Sequence, residues 1–280
     1  MAAPFRWTSL PTQMETPARA TLSVAIIALN EESNLPRTLA SVAWADEIVV
    51  VDSGSTDRTR AIVEEHGARL VQESWRGFAA QKNFALSLCT SEWILSLDAD
   101  EAVSNELATS IQQIISGAPA DAAYLLSRRN FFLGRWMRHG GYYPDRKLRL
   151  FRRGQASFHE TPVHETAEFH GNVEVIDGDL LHDAYPTLAS YLDHMQRYST
   201  LGATIAASRG RTGRSLFGFL RGVLLDPLAT FFYNYFLRGG FLDGREGLLL
   251  HLYHSAYVSW KYAKAWESLG ATQRGNASKS

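Results

Sequence analysis

Short, nearly continuous apolar runs recur through the first hundred residues, and most stop at a cluster of acidic or amide side chains. Leu22-Ser23-Val24-Ala25-Ile26-Ile27-Ala28 runs into Leu29-Asn30-Glu31-Glu32. Glu47-Ile48-Val49-Val50-Val51 runs into Asp52-Ser53-Gly54-Ser55-Thr56-Asp57. A short run over Arg69–Gln72 comes third, and Trp93-Ile94-Leu95-Ser96-Leu97 ends in Asp98-Ala99-Asp100-Glu101. Runs that are apolar at odd and even positions alike predict strands covered on both faces. Helical stretches lie between them: one from about Ser33 to Val42, one ending at Glu65 and closed by Gly67, and one from Gly77 to Cys89. This alternation predicts a mostly parallel, doubly wound α/β sheet. Right-handed crossovers then align the carboxyl ends of the strands along one edge, where open α/β sheets bind ligands.

The polar ends carry the candidate chemistry. Residues two apart in a strand point the same way, so Asp98 and Asp100 aim together from the end of a central strand. Two like charges held that close call for a cation, and oxygen ligands suit Mg²⁺ or Mn²⁺ sharing its shell with substrate phosphates. A solvated turn before a helix N-terminus is the alternative for this segment, and capping by Ser55 or Thr56 accounts for part of Asp52–Asp57. Three strands each ending in a carboxylate exceed what capping requires. Neither Gly-x-Gly-x-x-Gly nor Gly-x-x-x-x-Gly-Lys-Ser/Thr occurs, which removes the dinucleotide fingerprint and the P-loop.

Composition narrows the setting. With 280 residues, 45% hydrophobic, the chain supports one large domain or one domain plus a helical appendage. A net charge of −1 gives no global attraction to nucleic acid, so electrostatic partners must be sought in local patches. The single cysteine, Cys89, forms no internal disulfide and suits a reducing compartment. Residues 1–20 hold three prolines and no apolar signal region and are expected to be disordered, like the polar tail over 269–280.

Beyond Asp100, Ser104 caps a helix to Ser116, and Ala122 to Arg128 reads as a strand. A basic tract follows, from Arg128 to Arg153, interleaved with Phe131, Phe132, Trp136, Tyr142 and Tyr143. His159-Glu160-Thr161-Pro162-Val163-His164-Glu165 is no zinc-protease motif, because its histidines lie five apart around a proline. His182 follows a predicted strand and is a candidate metal or pyrophosphate ligand, with a purely structural role as its alternative. The C-terminal third, 186–268, reads as helical: Thr187 to about Arg209, an apolar stretch from Ser215 to Leu225, a helix opened by Asp226-Pro227, and a last helix opened by the capping box Asp243-x-x-Glu246. Arg221, Asp226, Pro227 and Arg238 interrupt the apolar stretch, leaving no clean run of ~20 residues for a membrane span. The aromatic residues with flanking arginines suit an interfacial helical hairpin on a membrane. Packing on the α/β domain or on a second copy is the alternative.

Val24 to Glu32, Val49-Val50-Val51-Asp52-Ser53-Gly54-Ser55-Thr56-Asp57 and Leu97-Asp98-Ala99-Asp100-Glu101 resemble the three signatures of family-2 glycosyltransferases with the GT-A fold. The resemblance covers about Thr21 to Tyr185, which sets the catalytic domain at 21–185. Gly141-Tyr142-Tyr143-Pro144-Asp145, Arg149-Leu150-Phe151-Arg152-Arg153 and Val163-His164-Glu165 are similar to segments of bacterial lipopolysaccharide core glucosyltransferases. The resemblance implies that Ala28, Asn30, Glu31 and Asp52 hold the uridine of a UDP-sugar, with Lys82 near the nucleotide, and that Asp98 and Asp100 hold the ribose and the metal. It also implies an inverting single displacement in which Glu165, with Asp145 as second choice, deprotonates the acceptor hydroxyl. The acceptor expected is a lipopolysaccharide core or another lipid-linked glycan at the cytoplasmic membrane surface. The basic tract is a candidate for meeting its phosphates, or else a solvated face. Rival readings are a sugar-phosphate nucleotidyltransferase, which wants a Gly-rich basic loop where Leu29–Glu32 stands, and a non-catalytic scaffold.

Overall fold

The computed structural model describes residues 20–117, 122–160 and 165–277. Strands β1 (Leu22–Ala28), β2 (Glu47–Asp52), β3 (Arg69–Gln72) and β4 (Trp93–Asp98) form as the apolar runs predict. They pair in parallel in the order β3-β2-β1-β4. Helices α1 (Leu35–Ser41), α2 (Thr59–Glu65) and α3 (Phe78–Ser87) make the crossovers. Alternation along these strands divides the interior into two cores. Val24, Ile26, Val50, Leu95 and Leu97 pack on one face, Ala25, Val49, Val51 and Ile94 on the other. The register sets Ala28 opposite Asp52 and Ile27 opposite Asp98, so the polar ends of β1, β2 and β4 are flush.

Beyond β4 the sheet is mixed. After β5 (Glu101–Val103), helix α4 (Asn105–Ile115) starts at Ser104, whose hydroxyl accepts from the Leu107 amide, as the sequence predicts. β6 (Ala122–Phe132) pairs with β7 (Arg135–Trp136), and β8 (Asp145–Arg152) runs antiparallel to both β4 and β6. A separate hairpin pairs β9 (Ala156–Glu160) with β10 (Glu165–Phe169). β11 (Asn172–Tyr185) then joins β6 to β5. Most of the predicted basic tract therefore sits in strands.

Helix α5 (Leu188–Ser208) opens at Thr187 with a capping box. The next stretch corrects the sequence reading. α6 (Leu216–Leu220), a π turn over Arg221–Leu225, α7 (Asp226–Phe231) and a π turn over Phe232–Leu237 form one continuous helix. It is long and apolar enough to cross a membrane by length and composition, where the sequence reading expects no such run. Asp226 is no cap, since its φ of −61° is helical. Pro227 cannot donate to the Val223 carbonyl one turn back, and the Ser259 hydroxyl donates to that carbonyl instead, at 2.8 Å. Ser255 likewise donates to the Pro227 carbonyl at 2.9 Å. Both serines lie on α8 (Gly244–Ala277), so the last helix repairs what the proline removes.

The predicted capping box at the start of α8 does not form. Asp243 is buried and accepts from the backbone amide and Nδ1 of His139, tying the start of α8 to the loop after β7. α8 continues past Trp266, the expected end. Phe132 from β6, Met137 just after β7, Tyr191 from α5 and Leu250 from α8 share one core, which joins the helices to the catalytic half. Residues 1–19 and 278–280 and the Thr161-Pro162-Val163-His164 segment lie outside the described residues.

Candidate active site

A cleft of about 1380 Å³ opens at the carboxyl ends of β1 and β4. Ala28, Glu31, Asp98, Asp100 and His182 line it, while Asp52 does not and its neighbour Ser53 does. The opposite wall belongs to α5 and α8.

The first two polar segments are laced to one another. Asn30 adopts φ +56°, a left-handed turn that its amide side chain tolerates. Its backbone amide donates to the Ser55 hydroxyl, and its Oδ1 accepts from the Thr56 amide, each at 2.8 Å. The Glu31 amide donates to Thr59 Oγ1 at 2.8 Å. Asp52 is fully buried and accepts from the amides of Gly54 and Ser55 and from Arg60 Nε. Asn30 and Asp52, both expected on the uridine, thus use these atoms to shape the loop. Glu31 faces the cleft. Burial holds its carboxyl above the ordinary range against an Asn34 hydrogen bond that lowers it, with Asp100, Asp57 and Asp98 adding to the rise.

The two aspartates of the third segment part company. Asp98 is gripped by Lys82 Nζ at 2.6 Å and by Arg149 Nη2 at 2.5 Å, and both cations are almost wholly buried. Burial alone would raise its carboxyl, yet Arg149 and Lys82 drive it far below the usual range. Lys82 is thereby spent on Asp98. Asp100 meets His182 Nε2 at 3.1 Å. Burial works to raise its carboxyl as well, but the imidazole beside it leaves it below the ordinary range.

His182 lies within β11 rather than after a strand. Asn130 gives its amide hydrogens to the Tyr142 carbonyl and Asp145, which leaves its Oδ1 to accept from His182 Nδ1 at 2.7 Å. With Nδ1 committed to Asn130, Nε2 is the ring nitrogen that faces the Asp100 carboxylate and the one a cation could reach. A histidine whose far nitrogen is so anchored is the usual form of a metal-ligating imidazole. The donor set of Asp100 and His182 therefore fits a divalent cation that completes its shell with diphosphate oxygens and water. Among the described residues, no three His, Cys, Asp or Glu side chains gather into a self-sufficient metal cage.

Sequence reasoning passed over Glu101. It is fully buried and accepts from the Asp98 amide, Arg128 Nη1 and Arg149 Nη2. Arg128 in turn grips Asp145 through Nε and Nη2, at 2.9 and 2.6 Å. Burial notwithstanding, Arg128 and Lys147 hold the Asp145 carboxyl down at about 2, a weak base at neutral pH. The basic tract is thus largely consumed inside the molecule, with Arg129 on Asp179 and Lys147 on Asp145. The available signal is a charge set in an apolar run. In Leu148-Arg149-Leu150-Phe151, Arg149 falls on the same strand face as Phe151, which marks a cation pointing inward. Glu165 begins β10 opposite Glu160, and the next two residues, Thr166 and Ala167, line the cleft. Its side chain lies outside the described part.

The model of glycosyl transferase family 2 matches residues 23–169. The lipopolysaccharide core biosynthesis glycosyltransferase LpsC of Rhizobium meliloti (strain 1021) is 32% identical over 91% of this chain and 95% of its own length. An uncharacterized glycosyltransferase of Rickettsia felis is 31% identical over 89% of this chain and 90% of its own. Among solved structures, glucosyl-3-phosphoglycerate synthase from Mycobacterium tuberculosis, in complex with Mn²⁺, UDP and glucosyl-3-phosphoglycerate, aligns with a TM-score of 0.33 at 23% identity, covering 41% of this chain and 45% of that one. S. aureus TarS 1–349 aligns with a TM-score of 0.45 at 17% identity, covering 90% and 92%. The family match over more than half of the chain, the LpsC likeness along nearly all of it and the parallel sheet with its polar strand ends lead to one conclusion: this chain is a member of glycosyl transferase family 2 with a GT-A-type catalytic domain.

Proposed function

We propose that the chain transfers a sugar, glucose in the first instance, from a UDP-sugar to a lipopolysaccharide-core or other lipid-linked glycan on the cytoplasmic face of the inner membrane, with inversion. The carrying observation is the pairing of Asp100 with the anchored His182 in the same cleft as Ala28 and Glu31. Asp100 and His182 would hold Mg²⁺ or Mn²⁺, which when bound supplies positive charge against the departing diphosphate. Asp98, clamped by Lys82 and Arg149, keeps the turn to Asp100 in place. Thr38 Oγ1 and Arg37 Nη2 donate to the carbonyls of Ala99 and Asp100 and brace that turn from α1.

Glu165 takes the proton of the acceptor hydroxyl on the side opposite the leaving nucleotide. The oxygen bonds to the anomeric carbon as that carbon's bond to the diphosphate breaks, and UDP leaves with the electron pair. Asp145, ion-paired to Arg128 and low in basicity, serves to position Arg128 and Asn130.

The test is incubation of the purified chain with radiolabelled UDP-glucose and related UDP-sugars, with and without Mn²⁺, beside Asp100→Ala and Glu165→Gln. Asp100→Ala is expected to lose on the order of 10²-fold in turnover and to weaken Mn²⁺-dependent UDP binding, the scale of a preorganised charge. Glu165→Gln is expected to lose transfer while binding UDP normally. Near-wild-type transfer by Asp100→Ala, or no turnover of any donor by the wild type, overturns the assignment.

A further inference from the structure

The far wall of the cleft is made of helices, and its chemistry differs from that of the carboxylate rim. Arg197 and Arg209, at the middle and end of α5, Arg211 just after it and Lys261 of α8 line the same opening as Asp100 and His182. Arg211 is paired with Asp226 at 2.7 Å. Among the described residues Arg197, Arg209 and Lys261 form no ion pair, although Asp226, paired with Arg211, acts on Lys261 from farther off.

Lys261 is held in an unusual place for a lone cation. It and Arg211 both stand over the ring of Tyr262, at 4.6 and 4.7 Å from its centroid. Burial and the neighbouring Arg211 guanidinium hold its amine below the ordinary lysine range. A Cβ added at Gly202 of α5 would lie 2.9 Å from Lys261 Cδ, so the crossing of α5 and α8 leaves room for this side chain. Positive groups gathered on a cleft wall, with too few internal anions to neutralise them, suit an oxygen dianion that several donors share. Of the predicted basic tract, Arg128 and Arg129 are spent on Glu101, Asp145 and Asp179, while Arg146 lines the cleft from the sheet side.

We propose that α5 and α8 form an acceptor subsite in which Lys261, with Arg197 and Arg209 to either side of it along α5, meets phosphate carried by the acceptor glycan. The inference rests on the glycosyl-transfer reading above and specifies its second substrate. An anionic lipid headgroup offers the same phosphate chemistry, but these cations share a cleft with the donor-side residues, where the glycan must enter.

The test is calorimetric titration of the full chain, saturated with UDP and Mn²⁺, with lipid-free phosphorylated lipopolysaccharide core oligosaccharide and with the same oligosaccharide after phosphatase treatment. Wild type is expected to bind the phosphorylated form about tenfold more tightly, as charge-assisted hydrogen bonds to one group require. Arg197→Gln combined with Lys261→Met is expected to erase that preference and leave UDP affinity unchanged. Arg197→Gln alone, at an exposed position, should reduce it severalfold and keeps the test open should the double variant misfold. Equal binding of both oligosaccharides by wild type, or an undiminished preference in the variants, overturns the subsite. So does a variant effect seen only in sedimentation with phosphatidylglycerol vesicles, which assigns the cations to headgroups. A wild type that binds no UDP removes the glycosyl-transfer reading and this one together; intact UDP binding without a phosphate effect removes this one alone.

Discussion

Asp98 and Asp100 share a motif and do different work. Asp98 is the counter-ion of two buried cations, Lys82 and Arg149, with Glu101 completing the cluster. Asp98→Asn leaves those cations short of charge, and removal of one partner from a buried pair is costly. The expected loss is about 3 kcal/mol, at the lower end for such removals because Glu101 still serves Arg149. Chemical denaturation of Asp98→Asn beside Asp100→Ala checks it: Asp100→Ala, which leaves only His182 behind, should stay within about 1 kcal/mol of wild type. Equal losses in the two variants would contradict the division of labour. The pair looks equivalent in the sequence because alternation fixes direction and is silent about what waits there. The partners come from α3 and β8, the latter 51 residues along the chain.

At the scale of elements, the helix over Leu216–Leu237 is the informative one. Phe217, Leu220, Leu224, Leu228, Phe232 and Phe236 follow each other at spacings of three or four and are all exposed. A stripe of that spacing forms one face, and its opposite side rests on α8, where Gly222 allows close approach to Tyr262. An uncovered apolar face flanked by Arg214, Arg221 and Arg238 suits the surface of an anionic membrane. Leu228→Glu with Phe232→Glu is expected to abolish co-sedimentation with phosphatidylglycerol vesicles while UDP affinity stays as in wild type. Unchanged sedimentation would count against the membrane, and dissociation of a dimer in ultracentrifugation would give the face to a second copy. Asp226-Pro227 reads as a helix start because the pair has that local preference. The hydroxyls of Ser255 and Ser259 overrule it from another helix.

For the whole molecule, two sets of titrating groups set the acid limit in separate windows. His254 is held down to about 4 by burial first, then by His251 and Lys261, and His251 is lowered too, chiefly by burial. The folded chain keeps these imidazoles neutral, while the unfolded chain takes protons below about 6.5. Stability is therefore full above that pH and falls between about 6.5 and about 4. The lowered carboxyls of Asp98, Asp100 and Asp145 act later, since their contribution is present above about 3.8 and is lost as pH drops toward their folded values. Thermal unfolding at pH 7.5, 5.5 and 4.5 should show the first loss, amounting to roughly 2–3 kcal/mol at the lower end. His254→Phe should flatten it and leave the second window intact. A profile that is level from pH 7.5 to 4.5 in wild type would refute the histidine account.

The sequence by itself determined the four parallel strands and their polar ends, because these depend on local patterns: apolar runs of strand length, turn formers after them, and helical stretches between; the family came from the likeness of three motifs. The same patterns identified Glu31, Asp98, Asp100 and His182 as residues worth placing. Only the tertiary structure decided which of them stay open to a ligand. Asn30 turned to Thr56, Asp52 to its own loop and Arg60, and Lys82 and Arg149 to Asp98, while Asp100 met His182 from across the sheet. A charged side chain taken out of water must find a partner, and that partner is chosen by strand register and helix packing between segments far apart in the chain.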